Sequence, residues 1–367
     1  MADSENLEMI PILIGSGVSC AGGLPGVLSL SEKAASGFHG SALDPLFREI
    51  KELCDKNRNG IASNYEDWVY LAMQVRDHIG REYENPGIIP LVVSLEAKTG
   101  LSDGRLEASC DEIIVSILRL VCGSLVSDKD HAAKAFAELG PALKHHSSRK
   151  VRFFSLNHDL MLEKYLKDLG LIFYDGFAQI HELDSGRQFS FDRQAFDEAN
   201  IAILKLHGSI NWWRHRPLRG CDSGNPWIYE FIGVELGENR KFERMDETPM
   251  ILAGTFNKIL QYSSPIFIQF LGEFHHTLRC ADRFAVCGYG FADKGINSLI
   301  VNWMSESASR HLFVFDPNPF DEKRARGAIL GKIEDWQNEG RLHRIAKRIG
   351  SDISWDNILD TVSASLP

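Results

Sequence analysis

Four short segments of this 367-residue sequence combine glycine with side chains that can hold a sugar or exchange a proton. They read GSGVS at 15–19, NHD at 157–159, HGS at 207–209 and GYG at 288–290, and each directly follows a short apolar run. Amides of glycine turns bind phosphate, Asn and Asp bind hydroxyl groups, and His exchanges protons near neutral pH. Together these groups favour chemistry on a phosphorylated sugar.

The first segment is a glycine turn with two open interpretations. Gly15 and Gly17 allow the backbone to approach a ligand closely, and the amides of 15–19 would then hold a phosphate. The spacing is not that of the G-x-G-x-x-G dinucleotide motif, because Cys20 stands in place of the third glycine. Taken alone, the turn marks either a dinucleotide site or only a tight connection.

The polar segment at 157–159 is open in the same way. Asn157 and Asp159 at the end of an apolar run can hold sugar hydroxyls, an amide or a water molecule. Both residue types are also favoured as caps, and a helix is predicted at 160–169. The residues alone leave these two roles equally weighted.

His207 is the strongest candidate for proton exchange among the thirteen histidines. It ends a buried apolar run and precedes Gly208, whereas the pairs at 145–146 and 275–276 lie in polar helical stretches and are predicted to be solvated. Further along, Gly288-Tyr289-Gly290 forms a second glycine turn. Asp316, followed by Pro317, is a candidate ribose partner, although a turn-forming role is the alternative.

The elements that must position these residues alternate between short apolar runs and helical patterns. Runs at 9–14, 151–156, 171–173, 201–206, 250–253, 283–287 and 312–315 predict strands. Asn64 followed by Asp67 predicts a helix start, within a stretch that shows no strand signal between about 30 and 150. This alternation predicts an α/β fold: a doubly wound parallel sheet with ligands at the carboxyl ends of its strands.

The domain organisation that follows has three parts. Residues 1–30 and 150–320 form the sheet domain, 31–149 form an all-helical insertion after the first strand, and 321–367 form a helical C-terminal tail.

Composition limits the classes of function and location. Forty Lys and Arg against fifty Asp and Glu give a net charge of −10, which argues against direct nucleic-acid binding. No stretch approaches the roughly 18–20 apolar residues that cross a bilayer, and the acidic N-terminus does not resemble a secretory signal. Seven scattered cysteines without a C-x-x-C pair predict free thiols in a cytoplasmic protein.

The order of the four segments resembles the sirtuin family. GSGVS with Gly23-Leu24-Pro25 resembles that family's Gly-Ala-Gly-x-Ser … Gly-Ile-Pro loop, and NHD resembles its Asn-x-Asp. His207-Gly208 resembles the catalytic His-Gly, and GYG takes the place of the Gly-Thr-Ser turn. The resemblance implies a Rossmann-like NAD⁺-binding domain. Its implied ligand-binding residues are Gly15, Ser16, Gly17, Val18, Ser19, Pro25, Asn157, Asp159, Gly288, Tyr289 and Asp316, and its implied catalytic residues are Asn157, Asp159 and His207.

The sequence also departs from the deacylating sirtuins. Only Cys221, Cys280 and Cys287 lie between the His-Gly and GYG segments, so the four-cysteine zinc module of that class cannot form there. GVL at 26–28 replaces the Asp-Phe-Arg of the cofactor loop. The sequence GYGFADKGIN at 288–297 is more similar to bacterial sirtuin-like domains of anti-phage defence systems than to the deacylating sirtuins.

That closer resemblance implies an NAD⁺ glycohydrolase that depletes NAD⁺ during infection and requires no metal. It further implies regulation by homo-oligomerisation or by a protein partner such as a HerA-family ATPase. The alternatives are an NAD⁺-dependent protein deacylase or ADP-ribosyltransferase, and a non-enzymatic sensor of NAD⁺ or ADP-ribose.

Overall fold

The computed structural model describes residues 9–56, 62–81, 85–180, 186–218, 231–237, 241–254, 264–319 and 325–363. Its strands are β1 (Met9–Ile14), β2 (Lys150–Ser155), β3 (Phe177–Gln179), β4 (Arg187–Phe189), β5 (Ile201–Lys205), β6 (Trp213–Pro217), β7 (Phe231–Val234), β8 (Phe242–Arg244), β9 (Arg283–Cys287), β10 (His311–Phe315) and β11 (Leu342–Ile345). The α-helices are α1 (Ser16–Ala21), α2 (Val27–Phe38), α3 (Asp44–Lys56), α4 (Tyr65–Ile79), α5 (Ile89–Thr99), α6 (Asp103–Ser124), α7 (Lys129–Ala135), α8 (Leu139–His145), α9 (Met161–Asp168), α10 (Arg193–Glu198), α11 (Pro265–Arg279), α12 (Lys294–Glu306), α13 (Ile333–Asn338) and α14 (Trp355–Ser363).

Six of the strands form one parallel sheet in the order β5-β2-β1-β9-β10-β11. Numbered along the chain within this sheet, that order is 3-2-1-4-5-6, which is the order of the Rossmann fold. The strand order reverses between β1 and β9, and ligands of such sheets bind outside the carboxyl ends of the strands at that point. The predicted α/β fold is confirmed.

The strands of this sheet are mostly predictable because both faces of the sheet are covered. All residues of β1 after Met9 and all residues of β5 are buried, which explains their uninterrupted apolar runs. Strand β11 was not predicted, since only Leu342 of its sequence LHRI is buried and the strand lies at the sheet edge. The predicted helical tail is confirmed at α14.

Two of the predicted strands are wrong. Tyr174 and Ile251 form only isolated bridges, and no strand covers 171–173 or 250–253. Ile172 is 93% exposed, so this apolar residue does not mark a buried strand. A second sheet that the sequence did not predict is antiparallel, in the order β3-β4-β7-β6-β8.

The chain divides into two compact units. The first comprises Met1–Leu24, Val126–Ile251 and Tyr262–Pro367 and contains both sheets; the second comprises Pro25–Leu125 and Leu252–Gln261. Helices α7 and α8 group with the sheets, whereas the predicted insertion extends to residue 149, and the predicted three-part division stays a prediction. In the part of the chain described, no helix has both the length and the apolar character needed to cross a membrane.

The second unit is built from α2 to α6, and its best-defined helix start is that of α4. The Asn64 side chain accepts hydrogen bonds from the amides of Glu66 and Asp67, while the Asp67 carboxylate accepts one from the Asn64 amide. This is the capping box that satisfies the free amides of a helix start. The helix start predicted from Asn64 and Asp67 is confirmed.

Candidate active site

Two glycine turns meet where the strand order reverses. The Gly15 amide donates to Cys287 O over 2.9 Å, and the Gly17 amide donates to Gly288 O over 2.8 Å. A Cβ added to Gly15 would lie 2.6 Å from Gly288 O, and one added to Gly288 would lie 2.6 Å from Val18 N. Gly288 also has a φ of 62°, which favours glycine. The turn after β1 and the turn after β9 therefore form one packed unit.

Fewer amides of residues 15–19 are free to bind a phosphate than the sequence predicts. The amides of Gly15, Gly17 and Val18 donate to Cys287 O, Gly288 O and Gly15 O, and α1 already begins at Ser16. Three of the five amides assigned to the phosphate are thus bonded within the protein. Ser16 and Gly17 are exposed at the start of α1, so this is the surface of the segment that a ligand can reach.

Ser19, Asn157 and Asp159 form a buried hydrogen-bond network beside this turn. Asn157 Nδ2 donates to Gly15 O (2.9 Å) and to Ser19 Oγ (2.8 Å), and Ser19 Oγ donates to Asp159 Oδ2 (2.6 Å). Both amide hydrogens of Asn157 are committed, which leaves its Oδ1 to accept from a hydroxyl or a water molecule. The network joins residues 138 or more positions apart in the chain, as the four-segment pattern predicts.

Lys205 supports this network and was missed in the sequence. Its buried amine donates to Asp159 O and lies 3.1 Å from Glu163 Oε1. A buried ammonium group needs such partners to offset its lost hydration. Lys205 is the last residue of β5, and His207 follows two residues later. The bond from Lys205 to Asp159 O therefore connects the end of β5 to the NHD segment. A charged residue at the end of a buried strand was the available signal.

His207 contacts a carboxylate that the sequence analysis did not identify. Its Nε2 lies 3.0 Å from Asp293 Oδ2, and both side chains are about 95% buried. Asp293 is the N-cap of α12: its Oδ1 accepts from the amides of Gly295 (2.7 Å) and Ile296 (3.1 Å), which leaves Oδ2 facing the imidazole. An Asp directly before a helical stretch was the only trace of this residue in the sequence.

The hydroxyl of Tyr289 contacts Asp293 and the helix that Asp293 caps. Its hydroxyl accepts from the Asp293 amide (3.0 Å) and lies 3.1 Å from Asn297 Oδ1 and 3.2 Å from Asp293 O. Asn297 in turn donates to Phe291 O and to Arg326 O. The hydroxyl of Tyr289 is thus engaged inside the protein, and the ligand-binding role expected of this residue stays a prediction.

The remaining predicted residues, Asp316 and Pro25, stay predictions. Asp316 follows β10, and its Oδ1 accepts from the Asn318 amide over 2.8 Å, which is the turn-forming alternative. Pro25 belongs to the second unit and is not grouped with the other residues. Cys221 lies outside the described residues; the six described cysteines are all free thiols.

An open cavity of about 760 Å³ adjoins the end of α1. Cys20 and Ala21 line it, together with the cationic side chains of Lys134 and Arg348. Burial, together with the charge of Asp159, raises the pKa of the Cys20 thiol, so this thiol stays protonated near neutral pH and is a poor nucleophile. The acidic side chain of Asp130 lines the cavity as well, so it carries both signs of charge.

The centre combines three features. The imidazole of His207 lies against the Asp293 carboxylate, the Asn157 side chain is oriented by the two hydrogen bonds of its NH₂ group, and the glycine turn at Gly15 is closely packed. Such groups can orient hydroxyls and accept a proton.

Solved structures similar to the chain include sirtuin homologues. A Sir2 homologue in complex with NAD is 12% identical with a TM-score of 0.40, covering 97% of this chain and 88% of that one. A Sir2 homologue variant in complex with ADP-ribose is 12% identical with a TM-score of 0.39, covering 97% and 90%. These similarities are too remote to assign chemistry. A search of curated proteins finds no match.

The family comparison is more informative. The sequence model of the SIR2-like domain matches residues 151–339, slightly more than half of the chain, and that range contains Asn157, Asp159, His207 and Gly288. The chain therefore belongs to the SIR2-like domain family, and this membership indicates an NAD-binding enzyme of the sirtuin type.

Proposed function

We propose that this protein is an NAD⁺ glycohydrolase. Water attacks C1′ of the nicotinamide ribose, the C1′–nitrogen bond breaks, and the products are nicotinamide, ADP-ribose and one proton. The observation that carries the proposal is the buried contact between His207 and Asp293 at the same sheet edge as the Ser19–Asn157–Asp159 network.

Each group has one role in this proposal. Asn157 Oδ1 orients the ribose hydroxyls or the attacking water, and Asp159 holds Asn157 through Ser19. His207 accepts the proton, directly or through a ribose hydroxyl, which typically contributes about 10²–10⁴ in rate. Asp293 is a positioning residue: it holds the imidazole ring and stabilises the imidazolium that forms.

The substrate is a dinucleotide, and the surroundings suit its diphosphate. The exposed start of α1 supplies polar groups, and Lys134 and Arg348 supply positive charge to a cavity that Asp130 also lines. A volume of about 760 Å³ is within the range of about 300–1,000 Å³ that is typical of ligand pockets.

The main rivals use the same residues. A protein deacylase or an ADP-ribosyltransferase requires a second substrate at the site, and the three cysteines between Gly208 and Gly288 cannot build the zinc module of the deacylating class. A non-enzymatic sensor of NAD⁺ or ADP-ribose requires no proton acceptor, so it gives no reason for burying a carboxylate against His207.

One assay separates these functions. Purified protein is incubated with NAD⁺, with and without an acetyl-lysine peptide, alone and with the products of neighbouring genes. A glycohydrolase releases nicotinamide without peptide, and His207→Ala and Asn157→Ala abolish the release. Release only with peptide indicates a deacylase, and saturable binding without product under every condition indicates a sensor. Release that both variants leave intact would contradict the site.

We further propose that the enzyme is a cytoplasmic NAD⁺-depleting effector of anti-phage defence. An unregulated glycohydrolase would drain its own cell, so control by homo-oligomerisation or by a partner such as a HerA-family ATPase is part of the proposal. In infected cells that carry the gene, NAD⁺ should fall before lysis, and it should not fall in cells that carry His207→Ala.

A further inference from the structure

A second group of histidine and aspartate side chains lies between α8 and α14. His145 ends α8, His146 follows it, and Asp356 and Asp360 lie on α14; we refer to these four residues as the His–Asp cluster. Ligand atoms of His145, His146 and Asp360 lie within 4.8 Å of one another, and among the described residues no other such group occurs. Both helices belong to the first unit.

The fold fixes the position of the cluster through α14. Trp355 is fully buried, its Nε1 donates to Ala135 O over 3.1 Å, and its ring stacks on Phe136. Asp356 and Asp360 are four residues apart, so they share the face of α14 that meets the end of α8. The cluster is therefore built on two docked helices and not on a loose surface loop.

The separations within the cluster match those of metal ligands. His145 Nδ1 and Asp356 Oδ1 are 3.0 Å apart, His146 Nε2 and Asp356 Oδ1 are 3.5 Å apart, and His146 Nε2 and Asp360 Oδ1 are 3.3 Å apart. Tetrahedral zinc with bonds of about 2.0–2.1 Å to nitrogen and oxygen separates its ligand atoms by about 3.3 Å. Side-chain movements would thus place His145, His146 and Asp360 around one ion, with Asp356 beside the two histidines as a candidate fourth ligand.

His146 supplies an independent observation. The sequence analysis expected a solvated side chain, but His146 is 95% buried, and its Nε2 lies between the two carboxylates without forming a hydrogen bond of good geometry. A buried ring nitrogen aimed at two acidic groups is what a metal ligand requires before the ion arrives.

We propose that the His–Asp cluster binds one divalent transition-metal ion of the zinc class. His145, His146, Asp356 and Asp360 are its ligands, and any proton carried by the two coordinating ring nitrogens leaves on binding. The ion ties α14 to α8 and acts as a structural metal. It departs from the expectation of a metal-free protein and is independent of the proposed NAD⁺ hydrolysis.

Arg149 opposes metal binding and makes the proposal testable. Its Nη1 donates to His146 Nδ1 over 3.0 Å, which favours a proton on Nε2, the nitrogen that must face the ion. Metal-bound histidines instead donate from their other nitrogen. Removal of Arg149 should therefore tighten metal binding, an effect that two ordinary ion pairs would not produce.

The test is Zn²⁺ binding to chelator-treated, full-length protein, measured by competition with a chromophoric chelator. We expect one ion per chain, an affinity about tenfold or more weaker in His145→Gln and in Asp360→Asn, and a tighter affinity in Arg149→Gln. Both weakened positions are exposed, so these variants should fold. His343→Gln is the matched control, since His343 lies 3.1 Å from His311 in a histidine pair outside the cluster.

Co²⁺ separates this site from the free cysteines. Co²⁺ bound to the cluster gives tetrahedral d–d bands without the thiolate charge-transfer band that a cysteine site would show. Sub-stoichiometric binding, a thiolate band, or equal affinity in wild type, His145→Gln and Asp360→Asn would overturn the proposal.

Discussion

Two histidine–aspartate contacts in the first unit have the same length and opposite surroundings. His207 Nε2 and Asp293 Oδ2 are 3.0 Å apart with both side chains about 95% buried, whereas His145 Nδ1 and Asp356 Oδ1 are 3.0 Å apart with 66% and 41% of their side chains exposed. Water screens the second pair but not the first. Distance alone therefore does not reveal what a contact does.

The difference extends to what holds each carboxylate. Asp293 is fixed by two amides of α12 and backed by Tyr289, so it can direct His207 without moving. Asp356 contacts the side chains of His145 and His146 and keeps 41% of its side chain exposed to solvent. A fixed and buried carboxylate suits catalysis, and an open pair with a second carboxylate nearby suits capture of an ion.

The strongest way to break this comparison is Asp293→Asn. Asn caps a helix about as well as Asp, so α12 should remain intact while His207 loses its charged partner. We expect kcat for nicotinamide release to fall about 10²-fold or more, with KM nearly unchanged, and the pH–rate profile to shift. Asp192→Asn is the matched control, because Asp192 caps α10 in the same way. Equal kcat in Asp293→Asn and wild type would refute the positioning role.

The second prediction tests the packing of the turn after β9 against the turn after β1. Gly288→Ala places a Cβ 2.6 Å from Val18 N at a φ of 62°, and we expect a loss of about 3 kcal/mol in the free energy of unfolding together with lost activity. A Cβ on Gly290 meets open space, so Gly290→Ala should be close to wild type in urea unfolding. Similar unfolding midpoints for the two variants would show that the two turns are not closely packed.

The third prediction concerns the exposed pair. In metal-free protein, His145→Gln should leave the melting temperature nearly unchanged, because a screened contact contributes little. Saturating Zn²⁺ should raise the melting temperature of wild type and should raise that of His145→Gln clearly less. A large loss of stability in the metal-free variant would mean that the contact is structural without an ion.

The smallest effect is expected at the histidine pair without a carboxylate. Burial lowers the pKa of both His311 and His343, and nearby Arg283 and, at His311, Arg341 and the partner ring lower it further. The unfolded chain therefore takes up protons near pH 6.5 before the folded protein does, and stability falls as the pH drops below that value. We expect His343→Gln to lose less of its melting temperature between pH 7 and pH 5 than wild type. A larger loss of melting temperature in His343→Gln than in wild type would contradict the lowered pKa values.

The sequence predicts those site residues that directly follow a strand. Gly15, Asn157, His207 and Gly288 each follow a buried apolar run, and parallel strands bring such ends to one edge, so the fold and the meeting of these residues follow from pattern. Asp293 and Lys205 could not be assigned in that way. Their roles depend on contacts between segments distant in the chain, which periodicity does not encode.

Other differences have local causes. Strand β11 is an edge strand in which only Leu342 is buried, so its sequence lacks an apolar run. The amides of 15–19 are predicted to be free, but those of Gly15 and Gly17 bond to the turn after β9 and that of Val18 bonds to Gly15 O. His146 was expected in solvent because its neighbours are polar, yet docking of α14 buries it.

The most direct test of the central claim separates binding from cleavage in one variant. His207→Ala should bind NAD⁺ with an affinity within about threefold of wild type in calorimetry, while nicotinamide release under the conditions that activate wild type falls by about 10² or more. That outcome assigns His207 to the chemical step. Nicotinamide release by His207→Ala at the wild-type rate would contradict the account.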